Sequence, residues 1–128
     1  MKLLLDTVVF LISARAPEDL SERARNLLLD TDNELYLSVA SVWEITIKYS
    51  IGKLRLTHAP DQFIPDHRSR LGAELLQLDE ESVFHLMRLP LLHRDPFDRI
   101  LVSQSIVHGM VLLTSDAQIS RYPARTAW

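Results

Sequence analysis

An α/β fold, with a mostly parallel central sheet covered on both faces by helices, is the architecture this sequence predicts. The first observation is alternation: short apolar runs of strand length recur between longer stretches with helical spacing, the pattern of βα units. The second is the placement of acids. Asp6 and Asp116 each follow an apolar run directly, and in sheets of this kind ligands gather at the carboxyl ends of the strands. The third is size: 128 residues with 47% hydrophobic content suit one domain, expected to span residues 1–128.

Taken in order, residues 3–5 form an apolar run ended by Asp6-Thr7, consistent with a buried strand. Pro17-Glu18-Asp19 opens an amphipathic helix with Leu20, Ala24, Leu27 and Leu28 at helical spacing, closing near residues 30–33. Residues 35–37 read as a second strand, and residues 38–50 as a helix that runs out at Gly52. A further helix is expected over residues 60–70, a strand over 75–78 and a helix over 80–88, with Pro90 as a breaker after it. Asp95-Pro96 starts a helix reaching His108, because Asp suits the N-cap and Pro the first helical position. Residues 110–113 are the clearest strand, followed by Thr114-Ser115-Asp116 and a short helix.

Composition removes several function classes. There are no cysteines, so disulfide scaffolds, thiol catalysis and thiolate zinc sites are excluded. Fourteen Lys and Arg against 17 Asp and Glu leave a net charge of -3, so no global positive field draws in nucleic acid and a polyanion must be held locally. The amino-terminal Lys2, the run 8–12 and Ala14-Arg15-Ala16 imitate a secretory signal. Asp6 interrupts the apolar stretch such a segment needs, and no run approaches the ~20 residues that cross a bilayer. A cytoplasmic protein without membrane attachment is the expectation. Gly52, Gly72 and Gly109 stand alone, which gives no support to a phosphate-cradling loop.

Four acids stand out: Asp6, Glu44, Asp98 and Asp116. Three have ordinary explanations. Ser41-Val42-Trp43-Glu44 matches a capping box, Asp98 sits at the third position of its helix where the dipole favours a carboxylate, and Asp116 could cap the last short helix. Asp6 has none, since it ends a strand. If the four converge, pairs about 5 Å apart repel by ~3 kcal/mol at an effective dielectric of 20. A hard divalent cation with oxygen ligands relieves that repulsion and can orient an in-line attack on phosphorus.

With these residues in view, the pattern Leu3-Leu4-Leu5-Asp6-Thr7, Ser38-x-x-Ser41-x-Trp43-Glu44-Ile45 with Lys48, His93-Arg94-Asp95-Pro96-Phe97-Asp98-Arg99-Ile100-Leu101, Leu113-Thr114-Ser115-Asp116, and Tyr122 with Trp128 resembles the PIN-domain family. Within it, the VapC-like toxins of bacterial toxin-antitoxin pairs are the nearest branch. The resemblance covers essentially the whole chain, and its most specific part is the block from His93 to Leu101. It implies an α/β/α sandwich and a Mg2+- or Mn2+-dependent endoribonuclease acting on RNA. It further implies a homodimer held inactive by a cognate antitoxin whose tail occupies the acidic groove. Asp6, Glu44 and Asp98 match the family's core acids, Asp116 the more variable fourth, and Thr114, with Thr7, the hydroxyls beside the metal. The position after Asp6-Thr7, commonly His in related sequences, is Val8 here.

Lys48, Arg94 and Arg99 are the cations nearest the acids in sequence and the candidates for holding a phosphodiester. Asp95 is assigned to the N-cap rather than to metal. The five histidines show no i, i+4 pairing, so all are set aside as zinc ligands, and Trp43 is assigned to core or interface. Two other classes compete with the nuclease: a Mg2+-binding phosphoacceptor signalling domain and a silent binding module of the same fold. The first expects a second acid beside Asp6, where Thr7 and Val8 stand. The second has no need to keep all four acids.

Overall fold

A computed structural model of the chain describes residues 1–128. Its centre is one sheet of five strands, β1 (Lys2–Leu5), β2 (Glu34–Ser38), β3 (Ala73–Leu76), β4 (Val111–Leu113) and β5 (Thr126–Ala127), in the order β3-β2-β1-β4-β5. Every pairing is parallel. Six helices connect and cover the strands: α1 (Thr7–Arg15), α2 (Glu22–Leu29), α3 (Val39–Ser50), α4 (Pro60–Leu71), α5 (Glu80–His85) and α6 (Pro96–Val107).

The strands alternate their side chains between two cores, as period two requires. Leu3, Leu5, Leu35, Leu37 and Leu113 bury against Val9 and Phe10 of α1, Ile45 of α3 and Ile64 of α4. Leu4 and Leu112 point the other way, onto Leu101 and Val102 of α6 and onto Ile119 and Tyr122. With apolar layers on both faces the central strands have no polar side, which is why they read as unbroken hydrophobic runs. Removing a side chain such as Phe10 from water contributes about 1.5–3 kcal/mol.

One helix lies where no element was expected, and three expectations are corrected. Residues 8–12 belong to α1, which starts directly after Asp6. Its apolar residues run around more than one face, so helical periodicity is weak there, yet Val9 and Phe10 are fully buried. The segment opened by Pro17 divides into a 3-10 turn (Pro17–Asp19) and α2, with Ser21 at the N-cap accepting from Ala24 N at 2.9 Å. Strand β3 lies two residues earlier than expected because Gly72, at φ 69°, ends α4 in a left-handed turn and sends the chain straight into the sheet. Residues 119–121 form only a 3-10 turn, and β5, too short to carry a pattern, closes the edge.

The chain leaves β1 to build β2 and β3 on one side and later adds β4 and β5 on the other. The order therefore reverses between β1 and β4, the crevice where an open α/β sheet places its ligands. Asp6 and Thr114 end those two strands, and Asp6 N donates to Leu113 O at 3.0 Å.

On the α5 side, Asp79 caps the helix by accepting from Ser82 N at 3.1 Å and Ser82 Oγ at 2.7 Å, and lies 2.8 Å from His108 Nε2. Burial pushes its carboxyl up, but the hydrogen bonds from His108 and Ser82 outweigh this and hold it down at about 2. Because its folded value lies below the unfolded one, its contribution is present above pH ~4 and is lost as the pH falls towards 2. The half-exposed Asp79→Ala variant should lose about 1 kcal/mol in urea denaturation at pH 7. The difference from wild type should shrink as the pH falls through about 2 and vanish below it.

Candidate active site

At the end of β1, Asp6 is 4% exposed. Its Oδ2 accepts from Thr114 Oγ1 at 2.7 Å, and the same hydroxyl accepts from Asp116 N at 3.0 Å. One threonine thus aligns the first acid and sets the turn that carries the last. The burial of Asp6 raises its pKa; the Thr114 hydroxyl opposes this, and the charges of Glu44 and Asp116 add to the rise. Those electrostatic couplings place three acids from distant parts of the chain in one neighbourhood.

Glu44 enters from α3. The N-cap of α3 is Ser38, whose Oγ accepts from Ala40 N at 3.0 Å and donates to Gln104 Oε1 of α6 at 2.6 Å. The capping-box reading of Ser41 and Glu44 is therefore wrong: Ser41 lies inside the helix and accepts from Thr7 Oγ1 at 2.8 Å. Glu44 is buried at 4% exposure, with Oε2 2.6 Å from Lys48 Nζ and Oε1 buried without a partner. Lys48 is held in its charged form first by that hydrogen bond, against burial.

Helix α6 supplies Asp98. Its N-cap is Asp95, which accepts from Phe97 N at 2.9 Å and Asp98 N at 3.5 Å, the cap role expected of it. Asp98 is pushed up to about 7, first by burial, then by the charges of Asp95, Asp6 and Glu44, with His93 pulling the other way. Asp116 is half-exposed and accepts from Gln118 N at 2.8 Å.

Sequence reasoning missed His93. Its Nε2 lies 2.9 Å from Asp98 Oδ2 and 4.0 Å from Asp116 Oδ2, and one ligand atom from each of the three falls within 4.8 Å of the others. A signal existed, because His93 opens the block that contains Asp95 and Asp98. Spacing of the i, i+4 kind detects only ligands on one helix, whereas His93 lies in the loop before α6.

The candidate cations separate. Lys48 pairs with Glu44. Arg94 is exposed beside His93. Arg99 Nη2 donates to Leu86 O at 3.3 Å and its Nε is buried without a partner. Trp43 is 59% exposed, outside the core, with its ring edge-on to Phe97 at 5.2 Å.

Oxygen donors dominate this site: Asp6 and Asp98 both have raised pKa values, each in part from the charge of Glu44, and a buried oxygen of Glu44 lacks a partner. One lysine does not balance that charge. The donor set fits a hard divalent cation.

A model of the PIN domain matches residues 3–125. The chain is a PIN-domain protein. Over 71 residues, 56% of this chain and 50% of the relative, it is 34% identical to Ribonuclease VapC16 of Mycobacterium tuberculosis (strain ATCC 25618 / H37Rv). The match thus spans about half the length of that curated relative. This PIN domain also shares its fold with solved VapBC structures. VapBC2 from Rickettsia felis, bound to a DNA fragment from its promoter, matches with a TM-score of 0.77 at 19% identity, covering 99% of this chain and 98% of that one. DNA-bound VapBC from Salmonella typhimurium matches with a TM-score of 0.70 at 18% identity, covering 99% and 97%. The expected α/β/α sandwich is confirmed. No helix of this PIN domain is long and apolar enough to cross a membrane.

The raised Asp98 makes the metal-free protein sensitive to pH. Between pH ~4, where an unfolded aspartate ionises, and pH ~7 the folded state holds the extra proton, so stability falls as the pH rises through that window. In EDTA, urea denaturation of wild type should lose about 1–2 kcal/mol from this group between pH 5 and pH 8. Asp98→Asn should remove that part of the slope. An unchanged slope in the variant would contradict the crowding of acids.

Proposed function

We propose that this PIN domain is a metal-dependent endoribonuclease, the toxin of a toxin-antitoxin pair, with RNA as substrate and a cognate antitoxin as inhibitor. The observation that carries the reading is the buried, partnerless Glu44 Oε1 beside Asp6 and Asp98, whose carboxyls are both raised by burial and by neighbouring acids, at the switch point of the sheet. The name of the curated ribonuclease relative and the VapBC assemblies among the structural relatives support it.

Asp6, Glu44, Asp98 and Asp116 would hold Mg2+ or Mn2+. A divalent cation there supplies Lewis acidity for activating water and neutralises charge that grows on the phosphate. Oε1 of Glu44, the oxygen that Lys48 leaves free, would bind the ion or orient the attacking water. Thr114 keeps Asp6 aligned by donating to Oδ2, and Thr7 ties the start of α1 to Ser41 of α3, fixing the angle between the elements that carry Asp6 and Glu44. Lys48 and Arg94 meet the phosphodiester. Arg99, whose guanidinium is engaged by Leu86 O, contributes to substrate binding chiefly by anchoring the start of α6. Hydrolysis by water leaves a 5'-phosphate and a 3'-hydroxyl, because the ribose 2'-OH takes no part.

The reading extends to a homodimer in the cytoplasm, formed by one domain over residues 1–128. An RNA cleavage assay with wild type in Mg2+, wild type in EDTA, and Asp98→Asn in Mg2+ tests the chemistry. Activity should fall by about a hundredfold or more in the second and third, the scale of losing a main electrostatic stabiliser. Equal cleavage in all three rejects the mechanism. Products ending in a 2',3'-cyclic phosphate would reject the attacking water.

A further inference from the structure

The loop before α6 carries one side chain that the four-acid description leaves out. Tyr122, 3% exposed, holds the His93 peptide from both ends: its Oη accepts from His93 N at 2.9 Å and faces His93 O at 3.4 Å. With the backbone pinned, the imidazole, 21% exposed, reaches Asp98 Oδ2 at 2.9 Å and looks past it to Asp116 Oδ2 at 4.0 Å. The partner of its other nitrogen is Asp95 N, which faces Nδ1 at 3.5 Å. A backbone N–H can only donate, so Nδ1 takes the acceptor role and the neutral ring carries its proton on Nε2. That assignment decides between two roles. A nitrogen that bears a proton cannot bind a cation, so Nε2 donates to Asp98 instead.

We propose that His93 is a positioning residue for the acidic site, donating Nε2–H to Asp98 Oδ2 so that Oδ1 is left directed to the cation. The proposal rests on the cation site of the preceding reading and assigns a fifth residue to it. Tyr122, Asp95, His93 and Asp98 then form one chain of hydrogen bonds. Asp95 belongs to it twice, as cap of α6 through its carboxylate and as donor to His93 through its N–H. Carboxylate ligands aligned in this way lose affinity for their ion when the supporting donor is removed, by about 10–100-fold.

Three measurements on the full chain test it. Long-range proton-nitrogen correlation of the metal-free protein at pH 8 should find the His93 proton on Nε2; a proton on Nδ1 overturns the proposal. Titration with Mn2+ followed by electron paramagnetic resonance should show His93→Ala binding about tenfold more weakly. His93→Gln, whose amide can also donate to Asp98, should stay within about threefold of wild type. Equal affinity in wild type and His93→Ala overturns the proposal, and should His93→Ala fail to fold, a His93→Gln weakened as much as expected for alanine overturns it as well. Pulsed resonance of the Mn2+-loaded wild type should lack a directly coordinated nitrogen; finding one that His93→Gln abolishes makes His93 a ligand instead. RNA cleavage is followed separately. A wild type that binds Mn2+ but leaves RNA intact rejects the ribonuclease reading and leaves these results standing, whereas one that binds no Mn2+ rejects the cation site and the positioning role together.

Discussion

Like charges held close together in a poorly hydrated place are the constraint around which this molecule is arranged. Asp6 and Glu44 are each 4% exposed, the charge of Glu44 raises the cost of ionising Asp6, and the charges of both raise the cost of ionising Asp98. Attraction between side chains does not assemble such a group. The folding free energy of the two apolar cores has to hold it against repulsion. The surrounding contacts reduce that cost without cancelling it: Thr114 donates to Asp6, Lys48 to Glu44, and His93 lies on Asp98. What remains uncompensated is an oxygen-rich cluster short of positive charge, the state from which a divalent ion gains most.

Topology brings the acids together. The strand order reverses between β1 and β4, which leaves the carboxyl end of β1 uncovered by a crossover and opens a crevice beside it. Asp6 and Thr114 end neighbouring strands in register, Leu5 opposite Leu113, so the hydroxyl reaches the carboxylate without any loop to adjust. The two acid-bearing helices are joined by the buried bond from Ser38 to Gln104, 2.6 Å across, and Gln104 also donates to Gln77 O at 3.2 Å. One glutamine side chain therefore connects the start of α3, the middle of α6 and the end of β3. A buried polar group with satisfied partners on three elements specifies their mutual placement more sharply than apolar packing does.

The PIN-domain relationship accounts for the four acids and the sheet, and the structure refines the division of labour among the polar residues around them. Lys48 is engaged with Glu44, Arg99 with a backbone carbonyl, and His93 with Asp98. Three groups that titrate or carry charge near the site are thus each engaged with a protein partner. Arg94 is the exposed exception. In a chain of net charge -3 this concentrates the attraction for a polyanion into a few side chains at the rim, where salt screens it strongly.

Periodicity, caps and strand ends made most of the architecture legible. The parallel sheet, the Asp95 cap of α6 and the acids after β1 and β4 come from residue types read within a few positions of one another, because backbone hydrogen bonding and hydrophobic alternation are local rules. Local rules fail where a segment is apolar on every side, as in α1, or too short to have a period, as in β5. They mislead at Glu44, where a capping-box spacing coincides with the interior of a helix capped three residues earlier by Ser38. The involvement of His93, the pairing of Lys48 and the bond from Ser38 to Gln104 depend on how side chains from separate elements or successive turns are aimed at one another. Only packing sets those distances, since the same side chains at the same spacings would ionise and bond differently if the helices met the sheet at another angle.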